Sequence, residues 1–280
     1  MEKSIKKYWA IFLIPTLGSF AIGFVIPFIM GLWLSLCDFT TVTDATFVGF
    51  QNYVAAFSDN MFQHAFWYTA AFSVVSVVVI NVIAFAIALA LTNKLRGTNL
   101  FRTAFFMPNL IGGIVLGYIW QLIFNGILQQ YTQTITLNEW YGFVGLVILV
   151  SWQQIGYMMI IYVAGLQSIP TDVLEAAQID GADAWKRLWD VTIPMMMPSI
   201  TICLFLSVTN GFKLFDQNLS LTAGEPAHMS EMLALNIYDT FYGRAGWEGV
   251  GQAKAVVFFI IVTILGLIQL NITRKREVQQ

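Results

Sequence analysis

Aromatic and amide side chains occur together in the apolar stretch "SWQQIGYM", which runs from Ser151 to Met158. Trp152 and Tyr157 each combine a flat apolar ring with a polar tip, so they can stack on a ligand and hydrogen-bond to its edge. The amide groups of Gln153 and Gln154 both donate and accept hydrogen bonds. This set of side chains is suited to binding a polar ligand.

Residues for catalysis or metal binding are not grouped in the sequence. His64 and His228 are far apart and are both predicted to lie in loops, which indicates neither a zinc site nor a base–nucleophile pair. The patterns G-x-x-x-x-G-K-[ST], G-x-S-x-G and H-E-x-x-H do not occur. Cys37 and Cys203 belong to different apolar regions, so no disulfide framework is indicated. We predict that this chain has no catalytic residue and no metal, and that it does not bind ATP by a P-loop.

The composition determines which elements can carry the candidate ligand site. The 280 residues are 58% hydrophobic and 11% charged, whereas soluble domains carry about 25% charged residues. A helix needs about 20 apolar residues to cross a bilayer. Six stretches qualify, at residues 9–36, 65–92, 100–124, 143–167, 195–215 and 250–271. Because these runs are continuous rather than alternating, we predict an all-α membrane protein with six transmembrane helices in one domain, residues 1–280.

Basic residues predict the orientation of the six spans. Eleven of the fourteen fall on one side of this arrangement: Lys3, Lys6, Lys7, Lys94, Arg96, Arg102, Lys186, Arg187, Arg274, Lys275 and Arg276. The opposite side is acidic, with only Arg244 and Lys254 as basic residues. Since cytoplasmic loops are enriched in lysine and arginine, we predict a cytoplasmic-membrane protein with both termini in the cytoplasm.

A polar segment, residues 170–194, interrupts the apolar chain between the fourth and fifth spans. Pro170 suits the first turn of a helix, and Asp172 and Glu175 are acidic near its N-terminus, where they favour the helix dipole. These residues predict a short helix on the cytoplasmic side.

The second half of this segment predicts a turn and another helix. Gly181 tolerates a positive φ and supplies the turn. Asp180 or Asp183 can cap the second helix, which we expect to run to about Asp190 before Pro194 stops it. From these residues alone, an amphipathic hairpin lying on the membrane and a docking surface for another protein are both possible.

The segment resembles the coupling motif of permeases from binding-protein-dependent ABC importers. That motif reads E-A-A, three residues, G, nine residues, I-x-L-P. The corresponding residues here are Glu175, Ala176, Ala177, Gly181, Val191, Ile193 and Pro194. The two departures, at Val191 and Ile193, keep apolar character. The resemblance implies that Glu175, Ala176, Ala177, Gly181 and Pro194 couple the permease to a cytoplasmic ATPase.

Three further stretches resemble the carbohydrate branch of these permeases, the maltose and glycerol-phosphate type. They are "FVGFQNYVAAFSDN" (47–60), "FRTAFFMPNLIGGIVLGYIW" (101–120) and "FKLFDQNLSLTAGEP" (212–226). Glu225 replaces a glycine of the family pattern. The resemblance implies import of a sugar, an oligosaccharide above all. It also implies a second homologous permease subunit, two ATPase subunits that bind ATP and magnesium, and an external solute-binding protein.

The resemblance also bears on the aromatic and amide residues. Trp152 and Tyr157 match positions that contact sugar in the maltose-type permease, and Asn109 matches another substrate-facing position. Gln153 and Asn210 are further candidates for the substrate pathway. The alternatives are interfacial anchoring for the two aromatic residues and interhelical hydrogen bonds for Asn109 and Asn210.

Other functions remain as alternatives to sugar import. A related importer could carry a glycerol phosphate, although no arginine cluster in the spans is suited to holding a phosphate. A stand-alone channel, a secondary carrier or a membrane enzyme would leave the spacing from Glu175 to Pro194 without a role. A secondary carrier is also expected to have ion-binding residues at mid-membrane depth.

A pair of glycines, Gly113 and Gly117, forms a G-x-x-x-G pattern in the third predicted span. Such pairs often mark close packing between helices because they lack side chains that would keep the backbones apart. In a glycine-bearing span this is a weak indication.

Overall fold

The structure is a computed structural model that describes residues 2–92 and 97–275. Lys94, Arg96 and Arg276, which contribute to the predicted charge asymmetry, lie outside the described residues. The chain divides into two compact units, residues 1–60 with 237–259 and residues 61–236 with 260–280.

The described residues are predominantly helical. The first part of the chain forms α1 (Glu2–Phe20), a π-helical turn (Ala21–Val25), α2 (Ile26–Leu34), the antiparallel strands β1 (Cys37–Asp38) and β2 (Thr46–Phe47), α3 (Gln51–Ser58) and α4 (Asn60–Thr92). The middle forms α5 (Thr98–Phe106), a 3-10 helix (Met107–Leu110), α6 (Gly113–Leu128), a 3-10 turn (Gln129–Tyr131), α7 (Glu139–Ser168), α8 (Thr171–Ile179) and α9 (Ala184–Lys186). A π-helical turn (Arg187–Thr192), α10 (Ile193–Met195), α11 (Met197–Phe212), α12 (Asp216–Leu221), α13 (Leu233–Gly243) and α14 (Glu248–Arg274) complete the order.

Among the described residues, four helices are long and apolar enough to cross a membrane, judged by length and composition: Leu13–Leu34, Asn60–Thr92, Glu139–Ser168 and Glu248–Arg274. Two bent pairs raise the number to six if each pair counts as one span. They are Thr98–Leu110 with Gly113–Tyr131 and Ala184–Met195 with Met197–Phe212. The helical fold class is confirmed, while the count of six spans stays a prediction.

The third predicted span, 100–124, is not one straight helix. Its two halves meet at an angle of 99°. The 3-10 helix that contains Pro108 ends at Leu110. Ile111, the residue after it, has an extended ψ of 130°, and Gly112 precedes the new helix with ψ 140°. Proline lacks an N–H and glycine lowers the cost of leaving helical geometry. The break therefore has a local cause in Pro108 and Gly112, which a hydropathy pattern does not reveal.

The prediction that the helix after Gly181 ends at about Asp190 and is stopped by Pro194 is wrong. Helical structure continues through a π-helical turn to Met195, and the chain bends by 71° before α11. Pro194 follows the π-helical turn directly, and Thr192 before α10 keeps helical φ and ψ, so Pro194 lies within continuous helical structure. The π-helical turn before it also changes the hydrogen-bond spacing at the point where Pro194 cannot donate.

Helix α7 lies at the centre of the larger unit, with Leu146, Leu149, Met158 and Met159 fully buried. Lipid is as apolar as these side chains, so close van der Waals packing, more than transfer from water, holds such helices together. The packing around Gly156 is tight, since a Cβ there would clash with the backbone of Phe105.

The two glycines of the G-x-x-x-G pair lie at a close helix contact. A Cβ added at Gly113 would lie 2.7 Å from Cβ of Asp216, and one added at Gly117 would clash with Ser220. Both glycines thus allow α6 to pack directly on the short helix α12.

The smaller unit contains a buried ion cluster that sequence reasoning missed. Lys254 is fully buried, and its Nζ lies 2.7 Å from the Asp59 carboxylate and 2.7 Å from the Thr240 hydroxyl. Arg244 approaches the same carboxylate at 3.3 Å and covers the Trp247 ring. The two basic residues assigned to the acidic side therefore converge on Asp59, which fixes α13 and α14 to the junction between α3 and α4.

Candidate functional site

The polar segment begins with α8, which presents Glu175 and Ala176 to solvent and half-buries Ala177. Its C-terminus is closed by two backbone hydrogen bonds, from Gly181 N–H to Gln178 C=O and from Ala182 N–H to Ala177 C=O. These bonds form a Schellman motif, whose turn residue adopts a left-handed conformation. Gly181 has φ +81°, so the predicted turn rests on the one residue type that adopts this φ without strain.

The second helix of the segment starts at a side-chain cap. The Asp183 carboxylate accepts a hydrogen bond from Lys186 N–H at 2.8 Å, which selects Asp183 over Asp180 as the capping residue. Arg187 donates to the Gln178 side chain at 3.3 Å and links the two halves of the hairpin. Pro194 is half-buried at the far end of the segment.

Three large apolar side chains are exposed on this otherwise polar segment. Ile179 is 85% exposed, and Trp185 and Trp189 pack edge to face while both remain exposed. Sequence reasoning did not select them, although apolar residues in a polar stretch were a usable signal. Exposed apolar groups of this kind are typical of a surface that contacts another protein or the membrane.

The aromatic residues of "SWQQIGYM" lie on exposed parts of α7. Trp152 is 44% exposed and packs edge to face against Trp120 of α6, with ring centroids 5.6 Å apart. Tyr157 is 36% exposed. Both rings therefore have a free face that could stack on a ligand or lie against lipid.

Gln153 is buried and joins three elements. Its Nε2 donates to the Ile111 carbonyl at 3.2 Å, and its Oε1 accepts from the Gln217 amide at 2.7 Å. The Ile111 carbonyl is released from helical bonding by the break between α5 and α6, and buried carbonyls of this kind need a partner. Gln153 thus stabilises the break, and its hydrogen bonds link α7 to α12 and to the bent span.

Asn210 and Gln154 meet between α11 and α7. The Asn210 amide donates to Gln154 Oε1 at 3.3 Å. Asn210 therefore makes the interhelical hydrogen bond that was the alternative to a substrate contact. Asn109 is half-buried within the 3-10 helix before the break.

A second buried polar cluster, which we call the Asn81 cluster, connects α4, α7 and α11. The Tyr162 hydroxyl donates to Asn81 Oδ1 at 2.7 Å, and Asn81 Nδ2 donates to the Ser207 hydroxyl at 3.0 Å. Along α7, Tyr162 lies between Tyr157 and the polar segment, and along α11, Ser207 lies between Asn210 and that segment. The cluster therefore joins the two helices that connect the polar segment to the candidate ligand residues.

The arrangement is suited to binding and movement. Amide and aromatic groups line one part of α7, and an exposed hairpin is joined to the same helix.

The prediction that His64 lies in a loop is wrong, because it belongs to the N-terminal part of α4, where its Nε2 is 2.8 Å from the Met229 carbonyl.

Comparison with protein families gives a match over residues 82–278 to the binding-protein-dependent transport system inner membrane component. Two curated relatives align along almost their whole length. A probable starch degradation products transport system permease from Thermoanaerobacterium thermosulfurigenes is 44% identical, covering 97% of this chain and 95% of the relative. A multiple sugar-binding transport system permease from Streptococcus mutans is 31% identical, covering 99% of each.

Among solved structures, a bacterial ABC transporter that imports the acidic polysaccharide alginate contains a chain with the same fold. The TM-score is 0.83 with 19% identity, over 98% of both chains. The family match covers residues that include α7, the polar segment and α11. The chain belongs to the family of inner membrane components of binding-protein-dependent transport systems, and is therefore a transport permease rather than an enzyme.

Proposed function

We propose that this chain is a permease subunit of an ATP-driven ABC importer that moves a sugar, in particular an oligosaccharide, across the cytoplasmic membrane. The observation that carries the proposal is the exposed hairpin. The residues of the family motif, from Glu175 through Gly181 to Pro194, form a helix–turn–helix whose turn is held by backbone hydrogen bonds. The two sugar-transport permeases aligned along almost all of the chain support sugar as the substrate class.

The importer would contain a second homologous permease, two ATPase subunits and an external solute-binding protein. ATP and magnesium would be bound by the ATPase subunits, with no cofactor in this chain. The concentration of basic residues on one side supports six spans with both termini and the hairpin in the cytoplasm.

In the proposed cycle, ATP draws the two ATPase subunits together and the hairpin moves with the subunit on which it docks. Glu175, Ala176 and Ala177 would form the docking face, Gly181 its turn and Pro194 its junction with the fifth span. Ile179, Trp185 and Trp189 would extend the contact, because their apolar surfaces are exposed.

The substrate pathway would pass the exposed parts of α7 that carry Trp152 and Tyr157. Trp152 and Tyr157 would stack on sugar rings, as flat aromatic rings do on apolar ring faces. Gln153, Asn109 and Asn210 would supply hydrogen bonds near the break in the third span. Since Gln153 and Asn210 are bonded to protein groups, sugar would have to exchange with those bonds.

The test is to replace the turn residue of the hairpin and measure transport by the whole importer. Gly181→Asp should abolish sugar uptake while the chain stays inserted, since aspartate tolerates a positive φ but adds bulk and charge to the docking face. Gly246→Asp is the matched control, because Gly246 also has a positive φ and open space around it. Wild-type uptake and normal ATPase attachment in Gly181→Asp would refute the coupling role.

A further inference from the structure

A cleft of about 180 Å³ lies between the N-terminal parts of α4 and α7. Its walls include Trp67, Tyr68, Trp140 and Phe143, and its rim carries His64 and Glu139. In the proposed orientation, both helices begin on the external side of the membrane. The cleft is therefore placed where a substrate would arrive.

The walls offer aromatic surface in a fixed arrangement. Trp67 is 70% exposed and Trp140 is 63% exposed, so large parts of both rings are free. Phe143 packs edge to face against Tyr68 at 5.5 Å and against Trp140 at 5.8 Å. These contacts restrict the rings on one side and leave the indole of Trp140 available for stacking.

The rim offers a hydrogen-bond acceptor. His64 Nε2 lies 2.8 Å from the Met229 carbonyl and 3.9 Å from the Glu139 carboxylate. In the neutral tautomer that donates to Met229, His64 leaves the Glu139 carboxylate free to accept from hydroxyl groups. Among the described residues, no lysine or arginine lines this cleft.

An exposed stripe connects the cleft to the proposed substrate pathway. Trp140, Val144, Ile148 and Trp152 follow one another at intervals of four residues on α7, and all four are at least 42% exposed. Side chains four apart are neighbours on a helix. At 1.5 Å per residue the stripe runs about 18 Å from Trp140 to Trp152.

We propose that this cleft is an outer sugar subsite that binds one neutral pyranose ring of an incoming oligosaccharide. The ring stacks on Trp140 or Trp67, its hydroxyls donate to Glu139, and the chain then passes along the α7 stripe to Trp152. This inference rests on the proposed function and deepens it.

Charge decides between a neutral sugar and other amphipathic ligands. Glu139 repels a uronate or a sugar phosphate, and the residues that line the cleft include no lysine or arginine to offset that repulsion. The same argument disfavours a phospholipid headgroup, whose phosphate would lie beside Glu139. A neutral ring with one apolar face and several hydroxyls matches both the walls and the rim.

The experiment uses the complete importer in proteoliposomes and measures uptake of radiolabelled maltotetraose at limiting and saturating concentrations of loaded binding protein. Trp140→Ala should reduce uptake at limiting concentration about tenfold and change the saturated rate less than about twofold, since one stacking contact is lost. Trp140→Phe should restore most of the loss. Trp33→Ala, which removes another exposed indole outside the cleft, should leave uptake unchanged.

A second measurement tests the charge selection and the position. Glu139→Gln should make an acidic oligosaccharide a stronger competitor of maltotetraose uptake. A maltotetraose that carries a diazirine should label the peptide containing Trp140 in the wild-type complex and lose that label in Trp140→Ala.

Three outcomes separate the hypotheses. Unchanged uptake and unchanged labelling in Trp140→Ala would overturn the subsite while leaving the proposed function intact. A lower yield of inserted complex with unchanged uptake per complex would make Trp140 an interfacial anchor and also overturn it. No uptake of any oligosaccharide by the active wild-type importer would refute sugar transport itself.

Discussion

The hairpin at residues 170–194 and the Asn81 cluster are both polar regions of an apolar chain, but different bonds hold them. In the hairpin, the Schellman bonds and the Asp183 cap join residues at most five positions apart. In the Asn81 cluster, the side-chain partners of Asn81 are 81 and 126 residues away in sequence. The first region is shaped by its own sequence, while the second depends on three helices packing in one arrangement.

This difference explains which region can move as a unit. A hairpin closed by its own bonds keeps its shape when it shifts against a partner. A cluster that joins α4, α7 and α11 instead holds helices together, because breaking it leaves buried polar groups without partners. Under the proposed function, the hairpin would move as a unit, and the helices behind it would transmit that movement.

The largest effect is expected where a long-range bond involves charge. Lys254→Met removes the buried cation that pairs with Asp59, and we expect it to lower the free energy of unfolding by about 3–5 kcal/mol. Thermal unfolding of the purified complex in detergent would measure this loss. Lys213→Met is the control, because Lys213 is exposed. Equal stability of the two variants would show that the ion cluster does not hold its unit together.

A smaller loss is expected from the neutral long-range cluster. Asn81→Leu leaves the Tyr162 hydroxyl buried without its acceptor and should cost about 1–3 kcal/mol of stability. Adding Tyr162→Phe removes that stranded hydroxyl, so the double variant should be more stable than the sum of the single losses implies. A double-mutant cycle by thermal unfolding measures the coupling. Additive losses would mean that Asn81 and Tyr162 do not act together.

The smallest effect is expected in the hairpin, where each bond is local. Asp183→Ala removes the cap of the second helix and should cost about 1 kcal/mol locally, without changing global unfolding. Hydrogen exchange of residues 184–187 should become roughly fivefold faster. Asp180→Ala is the control, since its side chain does not cap α9. Equal acceleration in both variants would remove the distinction between the two aspartates.

The same division separates what the sequence predicted from what it did not. The helical class, the turn at Gly181 and the close packing at Gly113 and Gly117 follow from composition and local residue types. The break at Ile111 was missed because hydropathy alone does not register a local break in a helix. The extension beyond Asp190 was missed because Pro194 was expected to stop the helix.

The partners of buried polar groups could not be predicted. Gln153 was expected to face a substrate, and it bonds to Ile111 and Gln217, which lie in other elements. Lys254 was counted among the basic residues of the acidic side, and it pairs with Asp59, which is 195 residues away. Such pairs depend on tertiary packing, which a single sequence does not display.

Crosslinking the hairpin to its partner would test the central claim most directly. The native cysteines Cys37 and Cys203 are both buried, so Ala176→Cys places an accessible thiol on the proposed docking face. In the membrane-embedded importer this thiol should crosslink to the ATPase subunit, with a yield that changes when ATP is bound, whereas Ala245→Cys should give no such product. Absence of any crosslink from Ala176→Cys in an ATPase-bound, transporting complex would contradict the assignment of this hairpin as the coupling element.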